Sequence, residues 1–153
     1  LNGQNFGVKI TYEEQDKPRG LPDAFKIGKK FIGKDNISLI LGDNFFYGQS
    51  LSEKLKRASK LKKGAIIFSY PVKNPSRFGV VTVKGKKIVS LIEKPTNTNS
   101  NLAITGLYFF DNSVVKKTLS LKNSKRNELE IIDLLKMYKK NSLTNVFNNI
   151  SYV

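Results

Sequence analysis

The feature that most constrains this chain is an alternation of two hydrophobic periods. Short apolar runs of strand type occur at Val8 to Tyr12, Ile37 to Leu41, Ala65 to Val72, Gly79 to Val83, Ile88 to Ile92 and Ala103 to Phe110. Helical spacing separates them at Ala24 to Phe31, at Leu51, Leu55, Ala58 and Leu61, at Val114 to Leu121, and at Ile131, Leu134, Leu135 and Tyr138. Strands interleaved with helices specify a mixed α/β domain. The turn Lys84-Gly85-Lys86 between two strand runs predicts a hairpin, so an antiparallel pair sits on an otherwise parallel arrangement. Ser50 with Glu53 three residues on has the form of a capping box, and Gly64 has the form of a left-handed helix terminator. The last helix reads as acidic first, at Glu128, Glu130 and Asp133, and basic afterwards, at Lys136, Lys139 and Lys140; this suits the helix dipole and gives those acids a structural reading.

At 153 residues, 39% of them hydrophobic, the chain fits one domain with a packed core. It has no cysteine and no histidine, which excludes disulfides, thiolate metal sites, serine–histidine triads and imidazole bases; any metal would be held by oxygen. The apolar runs are too short to cross a membrane, and residues 1 to 20 lack the apolar core of a signal peptide, so a soluble, cytoplasmic chain with no membrane partner is expected. The net charge of +15 raises the possibility of a nucleic-acid partner. Only Arg19, Arg57, Arg77 and Arg126 carry the planar fork that reads bases and phosphates, the lysines are spread along the chain, and fifteen asparagines accompany them. That pattern favours compositional drift over a nucleic-acid patch, while the charge still favours anionic ligands.

Five segments hold residue types that carry chemistry. Gly42-Asp43-Asn44 follows a buried strand, where open α/β sheets bind ligands; Asp43 either coordinates Mg²⁺ or bonds its own turn. Gln15 to Phe25 is a loop opening a helix, in which the Gln15 amide and the Gly20 backbone either read a base edge or simply make a turn with Pro18. Phe78-Gly79 and Ile92-Glu93-Lys94-Pro95 read as opposite ends of a strand pair, and Glu93 with Lys94 suits sugar hydroxyls plus a phosphate, or else a surface ion pair. Ile104-Thr105-Gly106 opens an apolar strand whose glycine marks a bulge or a close approach. Gly28 to Asp35 nearly matches a phosphate loop, but Asp35 replaces the hydroxyl and no strand precedes it, so it reads as a helix end and turn.

Taken in order, Gln15…Pro18-x-Gly20-Leu21, Leu41-Gly42-Asp43-Asn44, Arg77-Phe78-Gly79-Val80-Val81, Glu93-Lys94-Pro95, Thr105-Gly106-Leu107-Tyr108-Phe109, Asp111-Asn112 and Glu128-Leu129-Glu130-Ile131-x-Asp133 resemble the glucose-1-phosphate thymidylyltransferases among sugar nucleotidyltransferases. The resemblance covers essentially the whole chain. It implies a doubly wound, mostly parallel Rossmann-like sheet with an antiparallel strand pair. It also implies Mg²⁺-dependent condensation of dTTP with α-D-glucose 1-phosphate to dTDP-glucose and pyrophosphate, on the route to dTDP-rhamnose. Carried over by position, Gln15 and Gly20 hold the thymine edge and Asp43 binds Mg²⁺ beside the nucleotide. Glu93 holds sugar hydroxyls, Lys94 holds and neutralises the sugar phosphate, and Phe78, Gly79, Ile104 and Thr105 line the sugar pocket. Phe78 stands where the family usually has tyrosine, and Asn127 where glycine is common. The family's glycine-rich Gly-x-Gly-Thr-Arg-Leu loop and its second metal-binding aspartate have no counterpart in these residues, so residues 1 to 153 are expected to be a partial nucleotidyltransferase domain. By itself it should be weakly active or inactive and prone to self-association, where the intact protein forms a homo-oligomer, a tetramer in this family. Alternative readings are a nucleotidyltransferase for another nucleotide and sugar phosphate, a basic nucleic-acid module, or a regulatory domain that kept the fold without the chemistry.

Overall fold

A computed structural model describes residues 2–85 and 87–140, together with the backbone of residues 144–147 and 151–152. The apolar strands form a mixed sheet from β1 (Ile37–Ile40), β3 (Ala65–Pro71), β4 (Gly79–Lys84), β5 (Lys87–Glu93), β6 (Leu102–Phe110) and β7 (Thr144–Phe147). The order is β5-β4-β6-β3-β7, with β1 paired to the far end of β6 on the side that β4 occupies at its start. β6 runs antiparallel to β1, β3 and β4, and β7 is parallel to β3. Four strands therefore point one way, and β5 and β6 point against them. A separate pair joins β2 (Phe46–Tyr47) to β8 (Ser151–Tyr152).

Successive side chains on a strand point to opposite faces, so a strand apolar at every position must be covered on both sides. β3 meets this condition. Ile67 packs into a large core with Phe25, Val81, Tyr108, Phe110, Ile132, Leu135 and Tyr138, whereas Ile66 and Phe68 face the other way onto Ala58 and Leu107. Tyr108 and Phe110 of β6 join the first core and Leu107 the second, by the same alternation. The helices divide accordingly: α1 (Asp23–Ile27), α2 (Lys29–Ile32), α4 (Ser113–Leu119) and α5 (Ile131–Lys140) supply one layer, and α3 (Leu51–Ser59) the other. The sheet is wound on both faces. Phe110 anchors the larger core, its ring 5.3 Å edge-on from Phe25 and 5.4 Å from Tyr138.

The predicted hairpin is present, β4 pairing antiparallel with β5 from Gly79↔Glu93 to Lys84↔Lys87 across Gly85 at φ 59; Lys86 lies outside the described residues. A bulge occurs where the β3–β6 register passes from Ile67↔Tyr108 to Ser69↔Ile104, at Thr105 to Leu107. The Thr105 hydroxyl donates to the Phe68 carbonyl at 3.1 Å, so a side chain replaces a ladder bond that the bulge removes.

Four local expectations are corrected. Val8 to Tyr12 is irregular rather than a strand: no described strand lies beside it, and alternation without a neighbouring edge cannot satisfy a ladder. The helical stretch near residue 28 divides at Gly28 into α1 and α2. Ser50 does not cap α3 through its side chain but adopts a left-handed conformation at φ 60. Gly64, at φ 100, does not end that helix, which stops at Ser59; it leads into β3 and donates its N–H to the buried Asp111 carboxylate at 2.5 Å. The apolar end of the sequence falls partly on residues 148–150 and 153, outside the described residues.

Candidate active site

Two clefts flank the end of the β4–β5 hairpin. The larger, about 390 Å³, is formed by the loop from Gln15 to Leu21, by Glu93 at the end of β5, and by the segment from Arg126 to Ile131. The smaller, about 140 Å³, lies where Leu41 and Asn44 meet Phe78, Tyr108 and the start of β6 at Ile104 and Thr105. Phe78-Gly79 and Glu93-Lys94, expected at opposite ends of the strand pair, lie at the same end, because the antiparallel hairpin sets the start of β4 beside the end of β5: Gly79 pairs with Glu93, and the Lys94 N–H donates to the Phe78 carbonyl at 3.0 Å, so this end ties Phe78 in one cleft to Glu93 in the other.

Lys94 is exposed and left-handed, at φ 41. A lysine there bears a steric cost that glycine would not, and such strain persists only where surrounding structure imposes it; here the hydrogen bond to Phe78 and the buried Pro95 do so. Burial pushes the neighbouring Glu93 carboxyl above its ordinary pKa, reinforced by Glu130, while Arg126 and Lys94 pull it down and Asp133 adds slightly to the rise. Gly79 is held small by α5, since a Cβ there would lie 2.8 Å from Ile132 Cδ1 and 3.3 Å from Glu93 Oε2.

The Gln15 loop is braced by charge. Asp23, 3% exposed, accepts from Gln15 Nε2 at 3.0 Å and from Arg19 Nε at 3.1 Å, and Arg19 also pairs with Asp16 at 2.7 Å. Gln15 thus spends one amide hydrogen on the loop and keeps its carbonyl and second hydrogen. Gly20 is required twice over: its φ is 95, and a Cβ would lie 2.1 Å from the Leu129 carbonyl oxygen, because the Leu129 N–H bonds the Arg19 carbonyl next to it.

Asp43 stands exposed just beyond β1, in a turn that Gly106 closes onto β6. The Gly106 carbonyl accepts from the Leu41 N–H at 2.9 Å, and its N–H donates to Asn44 Oδ1 at 2.8 Å, while Asn44 Nδ2 donates to Asp43 Oδ1 at 2.7 Å. Asn44 therefore aims the carboxylate. A Cβ on Gly106 would lie 2.5 Å from Asn44 Oδ1, so the close approach read from this glycine is that of the Asp43 turn. An exposed, oriented carboxylate is a hard oxygen donor suited to Mg²⁺, which takes one or two carboxylates and fills its remaining positions with phosphate oxygens and water. Among the described residues no cluster of three acidic ligands surrounds it.

The structure thus brings Gln15, Gly20 and Glu93 to one cleft, and Phe78, Ile104 and Thr105 to the other, beside the Asp43–Asn44 turn. Ile104 and Thr105 are 8% and 5% exposed, and the Thr105 hydroxyl hydrogen is already spent on the Phe68 carbonyl. Sequence reasoning missed Asn44, Arg126, Glu128 and Glu130 as site residues. Helix α5 starts at Ile131, so Glu128 and Glu130 precede it and face the larger cleft. The left-handed Asn127, φ 59, makes the turn that puts them there, which accounts for glycine at this position in the resembled family.

The family model for nucleotidyl transferases matches residues 1–151. A glucose-1-phosphate thymidylyltransferase of Neisseria meningitidis is 51% identical over 138 residues, 90% of this chain and 48% of that protein. One from Mycobacterium tuberculosis is 46% identical over the same share of each. The chain spans about half the length of these relatives. Among solved structures, one from Bacillus anthracis, assigned as a glucose-1-phosphate thymidylyltransferase and complexed with sucrose, superposes with a TM-score of 0.87 at 35% identity, over 99% of this chain and 61% of that one. A UDP-glucose pyrophosphorylase complexed with UDP-glucose shares the fold, with a TM-score of 0.82 at 23% identity, over 97% of this chain and 62% of that one.

Proposed function

From the premise that this chain belongs to the nucleotidyl transferase family, we propose that the protein transfers a thymidylyl group from dTTP to α-D-glucose 1-phosphate, releasing pyrophosphate. A phosphate oxygen of the sugar forms a bond to the α-phosphorus of dTTP as the bond from that phosphorus to the pyrophosphate oxygen breaks. No proton need move between heavy atoms, so catalysis is alignment and charge neutralisation. The observation that carries this reading is the constrained Glu93–Lys94 corner, with an acceptor partly buried in the larger cleft and, next to it in sequence, an exposed lysine whose charge acts on that carboxylate. Lys94 neutralises the incoming sugar phosphate, Glu93 accepts from sugar hydroxyls, and the free amide atoms of Gln15 with the Gly20 backbone read the thymine edge. Asp43, aimed by Asn44, holds Mg²⁺, which when bound withdraws charge from the phosphates. Phe78 offers the sugar an apolar face without a hydroxyl.

The names of the relatives support thymidylyl transfer to glucose 1-phosphate. The reading extends to a cytoplasmic homotetramer supplying dTDP-glucose towards dTDP-rhamnose, through the resemblance in the motifs. No described helix is long and apolar enough to cross a membrane. The test is pyrophosphate release by the full-length protein with dTTP or UTP against a panel of sugar 1-phosphates. Preference for dTTP with glucose 1-phosphate is expected, with Lys94→Ala lowering turnover by about 100-fold while the circular dichroism spectrum is unchanged. Preference for UTP, or an active Lys94→Ala variant, overturns it.

A further inference from the structure

We infer that Asp23 is a positioning residue that locks the Gln15 side-chain amide in one of its two orientations. Through that lock it sets which bases the cleft accepts, those with a keto edge such as thymine over those with an amino edge such as cytosine. The inference deepens the proposed function and rests on it for the base being read at Gln15.

A side-chain amide carries a donor and an acceptor, and half a turn about its last bond exchanges their places. Glutamine by itself favours neither orientation; Asp23 decides between them. A carboxylate only accepts, so Gln15 meets it through Nε2, at 3.0 Å from Asp23 Oδ2, and a turned amide would set Oε1 against that same oxygen. Arg19 Nε donates to Asp23 Oδ2 as well, at 3.1 Å, and the Arg19 guanidinium reaches Asp16 at 2.7 Å, so the carboxylate that holds Gln15 is itself held. Asp23 is only 3% exposed, whereas Gln15, Gly20 and Ala24 line the cleft, so Asp23 acts on a ligand through Gln15.

The second group assigned to the base hangs from the same residue. The Asp23 N–H donates to the Gly20 carbonyl at 3.2 Å, and the Arg19 carbonyl, on the other side of the peptide from the Gly20 N–H, accepts from the Leu129 N–H at 2.9 Å. Gly20 is thereby fixed in place and keeps the base in register with Gln15. Thymine and uracil present a carbonyl beside a ring N–H, whereas cytosine presents an amino group beside a bare ring nitrogen, the reverse order. An amide free to turn would serve either order. A locked amide serves one, and the dTTP reading assigns it to the keto order.

The full-length protein and its Asp23→Asn variant test this with two readings. Asparagine keeps the size of the side chain and an acceptor for Arg19, but its Nδ2 can donate to a turned Gln15, so the lock is removed while the packing is kept. The first reading is solvent exchange of side-chain amide hydrogens by nitrogen-15 NMR. In the wild-type protein Gln15 should exchange about tenfold more slowly than the exposed Gln4, and in Asp23→Asn it should move towards Gln4. The second is the ratio of kcat/KM for dTTP to that for dCTP, with glucose 1-phosphate as acceptor. Asp23→Asn should lower this ratio about tenfold, mainly through the nucleotide KM values, with KM for the sugar phosphate within about twofold. A residue that only stabilised the fold would affect both nucleotides alike, so an unchanged ratio overturns the inference. Wild-type exchange at Gln15 as fast as at Gln4 overturns it too, and that measurement stands even where the variant fails to fold. Should the wild-type protein turn over no dTTP, the proposed function fails, and the exchange at Gln15 still decides whether Asp23 locks the amide.

Discussion

Gly20 shows how a single missing methyl group can define a site. Its φ of 95 and the Leu129 carbonyl 2.1 Å from the ideal Cβ position leave no room for any other residue, and the contact is with backbone, which cannot swing aside. Gly20→Ala combines left-handed strain with overpacking of the wall between the Gln15 loop and the 126–131 segment. The expected cost is about 3 kcal/mol, read from urea denaturation. Gly42→Ala, with nothing within 4 Å of its Cβ position, should cost under about 1 kcal/mol. Equal destabilisation would mean that the Leu129 contact is not what excludes a side chain. The reason for Gly20 was hidden in the sequence because Leu129 lies far along the chain; a turn explained the glycine equally well. Asn44 was hidden for the same reason, its amide being committed to Gly106 on another strand.

Asp111 joins four elements. Following β6, it accepts from the Gly64 N–H that leads into β3, from the Ser113 N–H and hydroxyl at the start of α4, and from the Tyr138 hydroxyl of α5 at 3.1 Å. Burial alone raises a carboxyl pKa, but here these hydrogen bonds outweigh it and hold Asp111 below its ordinary value. A carboxyl whose folded pKa is depressed contributes stability that is fully present above its unfolded value, near 3.9, and is lost as pH falls through the folded value. Urea denaturation between pH 6 and the onset of acid unfolding should therefore show stability falling below about pH 4. Asp111→Asn should be less stable by about 2 kcal/mol at neutral pH, with a shallower acid limb; an unchanged limb would remove Asp111 from this role. Most of these elements were legible beforehand, because β3 and β6 are apolar at nearly every position and α5 keeps strict helical spacing. The misread elements share a cause. Val8 to Tyr12 alternates like a strand, but the Val8 and Ile10 N–H groups bond back to Gly3 and Asn2 rather than to a described strand, and Glu128 and Glu130 resemble a helix start until the left-handed Asn127 turns them into the cleft.

For the whole molecule, the deciding quantity is net charge. With 27 basic and 12 acidic residues the folded chain repels itself, whereas the ion pairs among the described residues that oppose this, such as Arg19–Asp16 and Lys136–Asp133, are largely exposed and each worth under about 1 kcal/mol. Salt weakens both effects. The screening length falls from about 30 Å at 0.01 M to about 3 Å at 1 M, and lysines spread over the chain lose more mutual repulsion than a few short pairs lose attraction. Raising NaCl from about 0.02 to 0.5 M should therefore raise Tm by roughly 3 °C, equivalent to about 1 kcal/mol. Chloride rather than sulfate is the right probe, because sulfate also strengthens apolar burial by exclusion from the surface. A Tm that falls with NaCl would show that local pairs such as Arg126–Glu130 outweigh the global repulsion. The Lys/Asn-rich composition would then be a stabilising ion network rather than a charge load that the two packed cores carry.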